Sequence, residues 1–172
     1  NLTSKLINCT KLKSGAKVIL HKVLRPELFG VAKTSKSGKI TTIKEKPKKY
    51  ISDLAITGLY FFDKQVVEYA KRLKPSSRNE LEITDLLKLY LKKKKLTSDI
   101  LGRGGAWLDT GSIEDFYKTS NFVSAIENRQ GFKIACLEEI SLLNKWISKK
   151  EINEAIKFYG KCEYSSYLKK LI

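Results

Sequence analysis

Two hydrophobic periods run along the chain, and the change from one to the other divides it. In the first third the apolar positions are those of strands. KVILHKVL (17–24) and GVAK (30–33) are short apolar runs, and KITTIKEK (39–46) alternates apolar with polar side chains, the pattern of a strand with one wet face. Ser37 and Gly38 supply turn chemistry between the last two, which predicts a hairpin. LAITGLYFF (54–62) is nearly continuous in apolar residues and predicts a strand buried on both faces. Asp63 is then placed to cap a helix with Val66, Val67, Ala70 and Leu73 on one face, and Pro75 to stop it.

The 3.6-residue period takes over afterwards. Ile83, Leu86, Leu87, Tyr90 and Leu91 make a helical stripe. Glu80, Glu82 and Asp85 lie at its start and Lys92–Lys95 at its end, as the helix dipole favours. A short strand is predicted at Ser98–Leu101, then a glycine-rich link (Gly102, Gly104, Gly105) into a second short buried strand, Ala106–Leu108. That would leave Asp109 at a strand's carboxyl end, where ligands gather in open α/β sheets. A strand-end aspartate in an Asx turn is the plainer reading. Capping is already covered, since Ser112 and Asp115 form an S-x-x-D box for the next helix. That helix has a stripe of Ile113, Phe116, Tyr117 and Val123, with Phe122 off it, and Gly131 ends it. From Leu137 onward the pattern is helical, in pieces separated near Ser148 and Gly160. The class is therefore α/β, a mixed or parallel sheet with flanking helices followed by an all-helical tail. Neither a G-x-G-x-x-G nor a Walker loop occurs, so as a nucleotide-handling fold it is incomplete.

Composition refines this without overturning it. The chain has 172 residues, 42% hydrophobic and 30% charged, enough for a globular core, and no apolar run of membrane-spanning length. A net charge of +16 raises nucleic acid as a partner. Yet 29 of 34 basic residues are scattered lysines, and Arg25, Arg72, Arg78, Arg103 and Arg129 do not cluster. Nucleic-acid sites rely on arginine forks and stacking aromatics, so a solvated lysine face is the better account. A basic, non-catalytic binding module stays as the alternative function. Cys9, Cys136 and Cys162 show no metal or disulfide spacing, which points to a reduced, cytoplasmic setting. His21, the single histidine, lies in a strand pattern and reads as structural. A chain that opens on Asn1 and contains no methionine is expected to be a piece of a longer protein.

FGVAK (29–33) with GKITTIKEKP (38–47), LAITGLYFFD (54–63), KPSSRNELEITDLLKLYL (74–91) and GRGGAWLDTGS (102–112) together resemble the glucose-1-phosphate thymidylyltransferase family, in order and at its spacings. RQGFKIACLEEI (129–140) and, more faintly, YSSYLKKLI (164–172) extend the likeness. The resemblance implies transfer of thymidylyl from dTTP to glucose 1-phosphate, giving dTDP-glucose, a precursor of dTDP-rhamnose, and pyrophosphate. It also implies a Rossmann-like nucleotidyltransferase core, Mg²⁺ as cofactor, a homotetramer, and neither nucleic-acid nor membrane partners. Residues 1–111 would be the sugar-phosphate half of that core and 112–172 a helical segment for assembly and regulation. The family's glycine-rich loop, its catalytic arginine and lysine and its first magnesium aspartate have no counterpart here, so the chain alone is expected to be inactive.

Residue by residue, the resemblance makes Asp109 the second magnesium ligand and gives Glu45 and Lys46 to glucose 1-phosphate. A carboxylate suits sugar hydroxyls and an ammonium suits a phosphate. Neighbours on a strand point to opposite faces, so both meet one ligand only if the strand ends or bends there, as Pro47 suggests. Charges guarding an edge strand are the other reading. Gly30 and Ile56 match positions whose backbone lies against the sugar, and Tyr60 and Arg78 match positions near its phosphate. Arg78 could equally be a helix-start arginine beside a Ser77–Glu80 capping box. Arg103, Cys136, Glu139 and Ile140 match a regulatory nucleotide site, but Leu143 stands where that site has an arginine, which weakens it. Asn79 replaces a usual glycine and Asp53 a usual asparagine.

Overall fold

The computed structural model describes residues 2–172, and their contacts fall into two units, one up to Trp107 and one from Leu108. The first unit runs α1 (Leu2–Thr10), β1 (Ala16–Lys22), β2 (Gly30–Thr34), β3 (Ile40–Glu45), β4 (Leu54–Phe62), α2 (Val66–Ala70), α3 (Ile83–Lys92) and β5 (Leu96–Ile100). The strands form one mixed sheet in the order β3-β2-β4-β1-β5, in which only the β1–β5 pair is parallel.

β1 has neighbours on both sides, and Val18, Ile19 and Leu20 are all fully buried. β4 was expected to be buried on both faces along its length, but only Ala55, Ile56 and Thr57 are, while Gly58 and Leu59 are exposed. The register with β1 slips between Val18 and Leu20, and there the Thr57 hydroxyl donates to the Ile19 carbonyl at 2.9 Å. That bond satisfies a polar group inside an apolar run. β2 and β3 form the expected hairpin, with Gly38 at φ +78° in its turn.

α3 buries Leu86, Leu87 and Tyr90 in the core formed with Val18, Leu20 and Ile43. α2 is shorter than its pattern suggested, five residues, and leaves Val67 exposed. A single turn presents few inward positions. Tyr69 takes one, with its ring 5.0 Å from that of Tyr90 and edge-on to it. Asp63 does more than start this turn. It accepts from Gln65 N–H (3.0 Å), Gly15 N–H (2.6 Å) and Tyr90 Oη (2.8 Å), tying α2, α3 and the entry to β1 together. The predicted strand at Ala106–Leu108 does not form. The run is short and finds no ladder partner; Trp107 instead packs on Phe29, ring centroids 5.1 Å apart, and on His21 at 6.1 Å. His21 Nδ1 is buried without a hydrogen-bond partner among the described residues.

The second unit is helical: α4 (Ile113–Gln130), α5 (Leu137–Leu143), α6 (Lys149–Tyr159) and α7 (Glu163–Leu168), closed by a 3₁₀ turn. Gly131 ends α4 in the left-handed conformation, φ +74°, as expected of a C-terminal glycine. Ser148 and Glu151 form a reciprocal cap on α6. The stripe predicted on α4 is not a core face: Ile113, Phe116 and Tyr117 are exposed and no α4 residue is buried. Cys136, Ile152, Tyr167 and Leu168 form the small core of this unit. No described helix is long and apolar enough to cross a membrane.

Candidate functional site

The sugar-side residues expected from sequence meet where the β2–β3 edge passes the start of α3. Gly30 and Glu45 are paired across the hairpin. β3 ends at Glu45, and Lys46 takes a left-handed backbone, φ +37°, with its N–H donating to the Phe29 carbonyl at 3.0 Å. A lysine pays a steric cost for that conformation. Its effect is to break the strand's alternation, which is the bend that joint use of Glu45 and Lys46 requires. Lys46 opens on a cleft of about 450 Å³ lined also by Lys44, Lys48 and Lys49, four cations favourable to an anion.

The chain before α3 forms a tight loop. Asn79 N–H donates to the Ser76 carbonyl (2.9 Å), Ser76 N–H to the Glu80 carbonyl (2.8 Å), and Asn79 sits at φ +59°. Asparagine tolerates that region better than other side chains, so its substitution for glycine is mild. The proposed Ser77–Glu80 capping box is absent, because α3 starts at Ile83, later than such a box needs. Ser76 is the working hydroxyl: it accepts from Arg78 N–H (3.1 Å) and donates to Glu82 Oε1 (2.8 Å).

Arg78 faces three carboxylates. Nε and Nη2 donate to Glu82 at 3.0 and 2.8 Å, and Nη2 also lies 3.0 Å from Glu80 and 3.7 Å from Glu45. The Glu82 side chain is only 10% exposed. The Ser76 hydroxyl and then the Arg78 guanidinium hold its carboxyl below the ordinary carboxylate range against the pull of burial, with help from the charge of Lys46. Glu82 in turn pushes the Arg78 guanidinium further up. Tyr60, on β4, has its phenol pushed up by burial and by the charge of Glu45.

Gly30 is forced by packing. A Cβ there would stand 2.8 Å from Thr84 Cγ2 and 3.0 Å from Glu45 Oε2. Thr84 is fully buried in the first turn of α3, and its Oγ1 has no hydrogen-bond partner among the described residues. Glu45 is thus within reach of both Gly30 and Arg78, the charge of Glu45 acts on Tyr60, and that of Lys46 acts on Glu82. Ile56 differs, because its side chain lies in the apolar core.

Asp109 belongs to the second unit and is exposed, not at the end of a buried strand. Among the described residues its side chain has no hydrogen bond or ion pair, and Oδ2 lies 3.0 Å from where a Cβ on Gly111 would be. It is not the cap of α4, since Ser112 Oγ accepts from Asp115 N–H at 3.0 Å. The carboxylate of that box takes the Ser112 hydroxyl at 2.6 Å. No group of three or more potential metal ligands occurs among the described residues. A free carboxylate fits an ion such as Mg²⁺, which takes one or two carboxylates and completes its shell with water and phosphate.

The residues matched to a regulatory site are partly engaged already. Arg103 lies in an exposed turn of the first unit. In the second, Cys136 Sγ is 3.1 Å from Tyr164 Oη, Glu139 accepts from Tyr167 Oη at 2.6 Å, and Ile140 and Leu143 are exposed. Three residues of the first unit went unmarked in the sequence: Glu82, taken as a helix-dipole acid, Thr84 and Trp107. Their pairing depends on folding; only the spacing of Arg78 and Glu82, four apart, hinted at contact.

Residues 1–126 match the nucleotidyl transferase family. The chain belongs to that family. Among its relatives, the glucose-1-phosphate thymidylyltransferase of Neisseria meningitidis is 46% identical over 158 residues, 92% of this chain and 55% of that protein. The enzyme of the same name from Xanthomonas campestris is 42% identical over 97% of this chain and 57% of its own length. The chain therefore spans about half the length of these relatives. A solved structure of a putative glucose-1-phosphate thymidylyltransferase from Bacillus anthracis, in complex with a sucrose, superposes with a TM-score of 0.61 at 41% identity, over 70% of this chain and 48% of that one. A UDP-glucose pyrophosphorylase complexed with UDP-glucose gives 0.58 at 26% identity, over 70% and 47%. The nucleotidyl transferase core thus extends to enzymes named for another base.

Proposed function

We propose that this chain is the sugar-phosphate-binding part of a glucose-1-phosphate thymidylyltransferase. The observation that carries the reading is the meeting of Gly30, Glu45 and Arg78 beside a Lys46 whose backbone is turned out of the strand. Glu45 accepts hydrogen bonds from sugar hydroxyls. Lys46 and Arg78 neutralise the phosphate. That phosphate is already an anionic nucleophile, so holding it in line with the nucleotide needs no general base. Asp109 is the residue here that would hold Mg²⁺, which when bound offsets charge on the phosphates. The partners are glucose 1-phosphate and dTTP, the setting is cytoplasmic, and residues 112–172 serve assembly as a homotetramer. With neither a G-x-G-x-x-G nor a Walker loop in its sequence, the 172-residue chain alone does not release pyrophosphate from dTTP.

Calorimetric titration with glucose 1-phosphate tests this. Bonds to charged groups contribute about 1.5–3 kcal/mol each, so Glu45→Gln and Lys46→Ala should each weaken binding by at least tenfold. Binding equally strong in both variants, or none by the native chain at millimolar ligand, would overturn the reading.

A further inference from the structure

Arg78 and Glu82 are not two independent charges. Arg78 rises from an irregular loop, and its side chain is 37% exposed. Free in solution, such a side chain samples many rotamers, and ordering it opposes binding. Glu82 is its opposite. Its backbone is the first carbonyl acceptor of α3, taking Asp85 N–H at 3.1 Å, and its side chain is nearly buried. It sits at the helix N-cap, yet its carboxylate caps no helix N–H. Both oxygens are spent on Arg78 Nη2, at 2.8 Å each, with Oε1 also taking Nε and the Ser76 hydroxyl.

A buried carboxylate next to a phosphate-binding arginine is electrostatically adverse for an incoming dianion. It makes sense as a strut. The fork of Glu82 fixes the Nε and Nη2 edge, and none of the carboxylate contacts of Arg78 uses Nη1. That second edge is left oriented for a phosphate oxygen. The other two acids are poorer struts: Glu80 is 61% exposed, and Glu45 lies 3.7 Å away with its own role at the sugar.

We infer that Glu82 is a positioning residue, which orients Arg78 toward the sugar phosphate and does not itself touch the ligand. The inference rests on the sugar-phosphate reading for the identity of the ligand, but not for the clasp between the two side chains. Two measurements separate the questions. The first, on ¹⁵N-labelled native chain without ligand, follows solvent exchange of arginine Nε–H groups. Arg78 should exchange at least tenfold more slowly than Arg72, Arg103 and Arg129, and Glu82→Gln should abolish the difference. Exchange of Arg78 at the rate of the others, or unaltered by Glu82→Gln, would overturn the inference even if glucose 1-phosphate binds well.

The second is a double-mutant cycle in glucose 1-phosphate affinity. Glu82→Gln should cost about tenfold in the native background and less than twofold in Arg78→Ala. Equal losses in both backgrounds would show that Glu82 acts independently of Arg78 and would sink the idea. Should Glu82→Gln fail to fold, Arg78→Lys in the otherwise native chain decides. Lysine has no second edge to orient, so a loss of at least fivefold is expected, and an unchanged affinity contradicts the proposal. If the native chain binds no glucose 1-phosphate, the functional reading fails, and the exchange experiment alone still decides the clasp.

Discussion

Asp63 and Glu82 in the first unit and Asp109 in the second carry the same chemical group in opposite settings. Asp63 holds three hydrogen bonds, two of them from backbone N–H groups of separate segments, and Glu82 holds a guanidinium and a hydroxyl. The Asp109 carboxylate is exposed and holds no hydrogen bond or ion pair among the described residues. A carboxylate with its lone pairs already satisfied is scaffold or strut, because a ligand must displace existing bonds to reach it. One left open contributes little to the fold and is free for a cation. The Glu45 side chain lies between the extremes, 3.7 Å from Arg78 and without a hydrogen bond among the described residues.

The comparison is broken most severely at Asp63. Asp63→Ala strands the N–H groups of Gly15 and Gln65 and the Tyr90 hydroxyl, and should destabilise the first unit by about 3 kcal/mol in urea unfolding. The same residue sets part of the acid limb. Burial disfavours its charge, but the bonds from Gly15, Tyr90 and Gln65 and the nearby Lys95 outweigh it and hold the carboxyl below its usual range. A group depressed in the folded state stabilises above its unfolded pKa, about 3.9, and loses that contribution as pH falls through the folded value. Asp63→Asn should therefore flatten the fall in stability below about pH 4. Glu82, depressed for its own reasons, adds to the same limb.

Gly30→Ala is expected to be the next largest, about 1–3 kcal/mol, because the new methyl meets Cγ2 of the fully buried Thr84. Thermal unfolding checks it. Smallest of all, Asp109→Ala should leave stability within about 0.5 kcal/mol of native, since no described residue bonds to that carboxylate. A larger loss would place Asp109 among the structural acids and remove the contrast.

Where each residue's partners are near in sequence, the pattern alone located it. The α3 stripe, the β2–β3 hairpin, Gly131 and the helix break near Ser148 follow from local periodicity and turn chemistry. Lys46 was legible as a bend because Pro47 follows it. Partners distant in sequence or set by competition were not. Asp63 reads as a cap from its neighbours, and only folding brings Gly15 and Tyr90 to it. Ala106–Leu108 looks like a strand by hydrophobicity, but the large ring of Trp107 is drawn to Phe29 instead. On α4 the periodic stripe is real while its burial is not, because periodicity says which positions share a face and nothing about what covers them. Glu82 was visible as an acid at a helix start, a common role that concealed its bonds to Arg78.

The most direct test of the sugar-phosphate site is an amide chemical-shift titration of the ¹⁵N-labelled chain with glucose 1-phosphate, with glucose and inorganic phosphate as separate controls. The result expected is a saturable set of shifts at Gly30, Lys46, Arg78 and Thr84, stronger for glucose 1-phosphate than for either half of it. Shifts confined to the second unit, or the same weak response to inorganic phosphate at lysines throughout the chain, would contradict it.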